Sequence, residues 1–95
     1  MPEMTFRICW PDGVEEDCYS PSTVIREHFT PGTDYPIADF HALATTALEA
    51  ANARVRARFG MGCAQAMNQI AQIDRRVSQF ADTPGATVRV QSFQP

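Results

Sequence analysis

Few residues of this 95-residue chain have the type and spacing to do chemistry, and Cys63 has the strongest claim. It follows Gly60-Met61-Gly62 at the expected start of a helix. Unsatisfied backbone amides there, with Arg58 close by, favour the thiolate, the form in which cysteine acts as a nucleophile. Yet no histidine stands in sequence where it could serve as a base. Cys63 also falls on an apolar stripe with Met67 and Ile70. Packing is therefore the preferred reading, free cysteine being among the most buried residue types. No catalytic residue is assigned, and Cys63 is kept as the one candidate.

The remaining reactive types converge less. Cys9 and Cys18 fall on opposite faces of a predicted β-hairpin, which argues against a disulfide between them. An odd total of three cysteines fits reduced thiols in a cytoplasm. His28 and His41 lack the i, i+4 pairing and the neighbouring carboxylate or cysteine that metal ligation needs, so neither metal nor cofactor is expected. Glu15-Glu16-Asp17 alternates faces on a strand, and reads as a charged sheet edge that deters unwanted pairing. Arg54, Arg56 and Arg58 could hold an anion or an acidic partner, although a helix C-terminus attracts arginine through its dipole alone.

Several elements must position these groups. Residues 4–10 alternate, with Met4, Phe6, Ile8 and Trp10 on one face. Pro11-Asp12-Gly13 closes a three-residue turn that sets Trp10 opposite Val14, Phe6 opposite Cys18 and Arg7 opposite Asp17. Glu16 opposite Ile8 fits only if that end of the sheet is exposed. Ser20-Pro21 predicts the start of a two-turn helix carrying Val24, Ile25 and Phe29, ended by Thr30-Pro31-Gly32. A long helix opens at Pro36 and packs through Ile37, Phe40, Ala44, Ala47, Leu48, Ala51, Val55 and Phe59 until Gly60 stops it. Another runs from about Gly62 to Ala81 with Cys63, Ala66, Met67, Ile70, Ile73, Val77 and Phe80 inward, folded back antiparallel. Ala86 to Phe93 predicts a last strand. The expectation is one α+β domain over 1–95: a β-hairpin, a short helix, a long helical hairpin, and a C-terminal strand completing a sheet of about three strands.

Bulk composition narrows the functional classes. With 44% hydrophobic and 20% charged residues the chain is of ordinary globular type. No apolar run is long enough to span a bilayer, and neither a signal peptide nor an anchor is expected. The net charge of −3 hides an asymmetry: residues 1–53 carry −7 and residues 54–95 carry +4. An acidic total offers no broad basic face to a nucleic-acid backbone, so no nucleic-acid partner is expected. Helices of roughly 30 Å exceed a domain whose radius of gyration should be about 12 Å. The hairpin should therefore project beyond the sheet and engage a partner, a second copy included. Arg54, Arg58, Met61 and Met67 are its candidate contact residues.

The opening Met-Pro-Glu-Met, the turn Trp10-Pro11-Asp12-Gly13, the run from Glu16 to Ser22 with Val24-Ile25, and later Ala38-Asp39-Phe40, Arg54-Val55 and Phe59-Gly60 resemble a family of small bacterial proteins. These are nitrogen starvation response proteins encoded beside a nitrilase. The resemblance covers nearly the whole chain and is most specific in its first third. It implies a gene cluster that also holds a radical S-adenosylmethionine protein, an acetyltransferase and a flavoprotein, with a link to nitrogen scavenging and to nitrile or cyanide use. It carries over no catalytic residues. Three functions follow as expectations: a non-enzymatic interaction protein of that metabolism, a small cysteine-dependent enzyme or thiol carrier using Cys63, and a peptide-binding helper of the radical enzyme that adds a strand to its sheet edge.

Overall fold

A computed structural model describes residues 2–95. The alternating segment forms strand β1 (Met4–Cys9), which pairs antiparallel with β2 (Glu15–Ser20) in the expected register: Phe6 faces Cys18 and Arg7 faces Asp17. Gly13 takes φ +87°, the left-handed position that the three-residue turn requires. Arg7 Nη1 lies 3.2 Å from Asp17 and Nη2 lies 2.8 Å from Glu15, on the face turned away from the core. Glu16 departs from expectation. It is half-buried rather than exposed, and its carboxylate accepts from Trp10 Nε1 at 3.1 Å and from Gln72 Nε2 at 2.9 Å. An acid opposite Ile8 is thus tolerated because both its oxygens are engaged.

The sheet has four strands in the order β2-β1-β4-β3, where about three were expected. The additional strand is β3 (Thr33–Pro36), which pairs antiparallel with β4 (Thr87–Gln94). Glycine and prolines flank or enter it, and this composition reads as a loop. Pairing overrides that tendency: Gly32 N–H donates to Val90 O at 2.7 Å, Asp34 meets Arg89 at 3.1 Å, and Pro36 is tolerated because β3 lies at an edge.

Between β2 and β3 the expected two-turn helix is a single 3-10 turn, Thr23–Glu27. Its cap is Ser22, whose hydroxyl accepts from Val24 N–H at 3.3 Å, while Ser20 ends β2 and donates to Ser22 O at 2.7 Å. The start signal therefore lies two residues later than Ser20-Pro21 suggested.

Helix α1 (Ile37–Phe59) begins one residue after Pro36, with its first amide bonded to Ala86 O at 3.0 Å. Helix α2 (Ala64–Ser78) is shorter than expected at both ends. Its end tightens into i to i−3 hydrogen bonds at Gln79, Phe80 and Ala81. That tightening sets Phe80 parallel to Trp10, ring centres 6.2 Å apart.

Both helices lie on the face of the sheet that carries Met4, Phe6, Ile8, Trp10, Val88 and Val90. Phe29, Phe40 and Trp10 form a chain of ring contacts through this core at 5.5 and 5.7 Å. The fold measures 41 × 23 × 18 Å with a radius of gyration of 12.9 Å. At 1.5 Å per residue α1 is about 34 Å long, so the helical hairpin accounts for the long dimension.

Candidate functional site

The hairpin turn is built around Asn52, a residue whose part sequence reasoning missed. Asn52 is only 7% exposed on α1, and its Oδ1 accepts from the backbone N–H of Cys63 at 2.6 Å. Its Nδ2 lies 3.8 Å from Met67 Sδ. Gly60 ends α1 at φ +80° and donates to Arg56 O at 2.8 Å. Gly62 is required for a different reason: a Cβ there would stand 2.9 Å from Asn52 Oδ1. One polar residue among the alanines of a helix was the available signal, and it is visible only once both helices are placed.

This arrangement leaves Cys63 half-buried as the N-cap of α2, with its amide satisfied by Asn52. Arg58 lies over the Phe59 ring at 5.7 Å. The neighbour of Cys63 is instead Tyr19, whose phenol is pushed up to about 12, first by burial and then by the negative charge of a Cys63 thiolate and of Glu3. Cys18 is buried against the sheet, and burial pushes its thiol well above the ordinary cysteine range, with Glu16 and Asp17 adding to the effect. All three cysteines are free.

Around the turn the expected apolar stripe opens to solvent. Phe59 is 64% exposed, Met61 76% and Met67 51%, although Phe59 and Met67 were expected to pack inward. The physical reason is the overhang of the hairpin, which leaves no sheet beneath its last turns. Ile70 and Ile73, further along α2, do reach the core. Of the three arginines, Arg54 reaches Glu27 Oε2 at 3.5 Å and Ser22 Oγ at 3.4 Å. Among the described residues neither Arg56 nor Arg58 has a carboxylate within salt-bridge reach. The structure thus gathers Arg58, Met61, Met67 and Cys63 at one end, and places Arg54 beside the 3-10 turn.

Two other contacts tie the site to the scaffold. His41 Nε2 and Asp74 Oδ1 stand 2.5 Å apart, linking α1 to α2, so His41 has the carboxylate neighbour that sequence spacing did not suggest. Gln69, 7% exposed, accepts from Tyr19 N–H at 2.9 Å through Oε1 and so occupies a backbone group of β2, a strand at the sheet edge. Its Nε2 is buried without a partner among the described residues. Glu15, Glu16 and Asp17 do not converge: the outer two go to Arg7 and the middle one to Trp10 and Gln72. Among the described residues no three metal-ligating side chains come together and no ligand-sized pocket is present. Among the described residues no helix is long and apolar enough to cross a membrane.

The residues that carried the resemblance acquire structural roles. Trp10 and Asp12 clamp Arg76, whose guanidinium lies 5.0 Å from the Trp10 ring, 5.2 Å from Phe80 and 3.1 Å from an Asp12 oxygen. Asp12 Oδ1 also accepts from Val14 N–H at 3.1 Å. The turn motif therefore fastens the first strands to α2. No curated protein and no solved structure matches the chain. A family model described as nitrogen starvation-induced protein NitG matches residues 5–93, nearly the whole length. The chain therefore belongs to the NitG family of nitrogen starvation-induced proteins.

Proposed function

We propose that this NitG-family chain is a non-enzymatic accessory protein of nitrile and cyanide utilisation under nitrogen starvation, which acts by contacting proteins of its own gene cluster and by self-association. One observation carries the reading. Phe59, Met61 and Met67 stand exposed at the free end of the hairpin, beside Arg56 and Arg58, on a turn held rigid by Asn52. Large apolar side chains gathered in this way mark contact surfaces on otherwise polar exteriors. Aromatic residues, methionine and arginine are also the types enriched at interface cores. Purified cluster proteins, the nitrilase first, provide the test by titration calorimetry. Binding that is lost in Met61→Asp and Phe59→Asp supports the reading, and absence of binding to every cluster protein overturns it.

A second reading, a thiol carrier using Cys63, draws on its half-buried place at the head of α2 beside Tyr19. Cys63→Ser separates the two, since it abolishes thiol transfer and leaves a contact surface intact. Strand addition by a peptide has less in its favour. Gln69 already occupies the Tyr19 amide of β2, and β3 is four residues long and includes Pro36.

A further inference from the structure

The outer face of α1 has a charge order that no other side chain of its own chain pairs, beyond the fit of Asp39 and Arg56 to the helix dipole. Asp39, Ala42, Thr46, Glu49, Ala53 and Arg56 recur at alternating steps of three and four, and all six are exposed. At about 100° per residue this seam lies directly opposite the face through which Phe40, Ala47, Leu48 and Ala51 enter the core. Among the described residues, Asp39, Glu49 and Arg56 have no salt-bridge partner.

Read in reverse, the seam complements itself. Turned antiparallel about a point between Ala47 and Leu48, a second copy would set Asp39 against the partner copy's residue 56, Ala42 against its residue 53, and Thr46 against its residue 49. Each contact occurs twice. The ends become ion pairs, the middle pairs a hydroxyl with a carboxylate, and the alanines let the axes approach toward the close end of the usual 8–10 Å separation. Antiparallel helix dipoles add to the attraction. A tip-to-tip dimer would instead bring two sets of arginines together.

We infer that the α1 seam is the interface of a two-fold antiparallel homodimer, in register about Ala47-Leu48. The inference uses a face of α1 that meets the hairpin tip only at Arg56, and it gives form to the self-association proposed above. Its consequence is bivalence. The two tips point in opposite directions about 40 Å apart, from about 19 Å of α1 on either side of the two-fold axis, and can hold two partner molecules at once. A single helix pair falls at the small end of specific interfaces, so the dimer forms reversibly.

Charge reversal with sedimentation equilibrium tests it on the full chain. The parent protein is expected to approach twice the monomer mass over about 10–500 µM. Asp39→Arg and Arg56→Asp each convert two attractive contacts into two repulsive ones, and each alone should weaken association about tenfold or more. Mixed one to one, the two variants restore both attractions and should form a heterodimer of parental affinity. Circular dichroism checks that each variant is folded. A parent chain that stays monomeric throughout, single variants that associate like the parent, or a mixture that fails to recover would each overturn the inference. Tip binding to a cluster protein by monomeric Asp39→Arg, which leaves the hairpin tip unaltered, would still stand, which keeps this failure separate from failure of the proposed function.

Discussion

Asn52 Oδ1 and the amide of Cys63, eleven positions apart in sequence, meet at 2.6 Å and close the helical hairpin. Because Asn52 is buried, losing this acceptor orphans a backbone donor. Asn52→Ala is expected to cost about 1–3 kcal/mol in urea unfolding. Gly62→Ala should also destabilise, since its methyl would sit 2.9 Å from the same oxygen. The two substitutions act on one contact, so Asn52→Ala combined with Gly62→Ala should cost less than the sum of the two.

The Asp12 carboxyl gives the fold an acid-sensitive fastening. The Val14 amide first, and Arg76 with it, hold this group below its ordinary value of 3.8. A carboxylate whose folded value is depressed stabilises above its unfolded value, and that contribution fades as pH falls through the folded one. The parent protein should therefore lose stability below about pH 3.8 more steeply than Asp12→Asn, as thermal melts across that range would show. Equal slopes would mean that the clamp on Arg76 owes nothing to the charge.

Thiol reactivity should separate the three cysteines. Cys18 is buried with its thiol pushed up, whereas Cys9 and Cys63 are half-buried. A disulfide reagent at neutral pH is expected to modify the latter two in the native protein and Cys18 only on unfolding. Rapid native labelling at Cys18 would contradict the placement of β2 over the core.

The core depends on its aromatic chain. Phe40 is fully buried between Phe29 and Trp10. Phe40→Ala should cost about 3–5 kcal/mol, enough to leave much of so small a domain unfolded. A loss under 1 kcal/mol, read from denaturant midpoints, would place the helix differently.

Legibility in sequence followed the range of the interactions. Alternation from Met4 to Trp10 and the Pro11-Asp12-Gly13 turn are local signals, and they set the β1–β2 register correctly. Gly60 marked the end of α1 for the same reason. β3 escaped because its four residues are strand only by virtue of Val88 and Val90 beside them, more than fifty positions later. Exposure of Phe59 and Met67 escaped because periodicity reports which residues share a face, not whether anything covers it. Asn52, Gln69 and the His41–Asp74 contact each join distant segments, so no local pattern foretells them.

The central claim is contact through the hairpin tip, and a photoreactive residue at position 61 tests it most directly. In a mixture of the purified cluster proteins, irradiation should give one discrete adduct with one of them. That adduct should disappear when Phe59→Asp is added and persist when Cys63→Ser is added. No adduct from position 61, while the same probe at an exposed sheet position such as Thr87 does capture a cluster protein, would contradict the account.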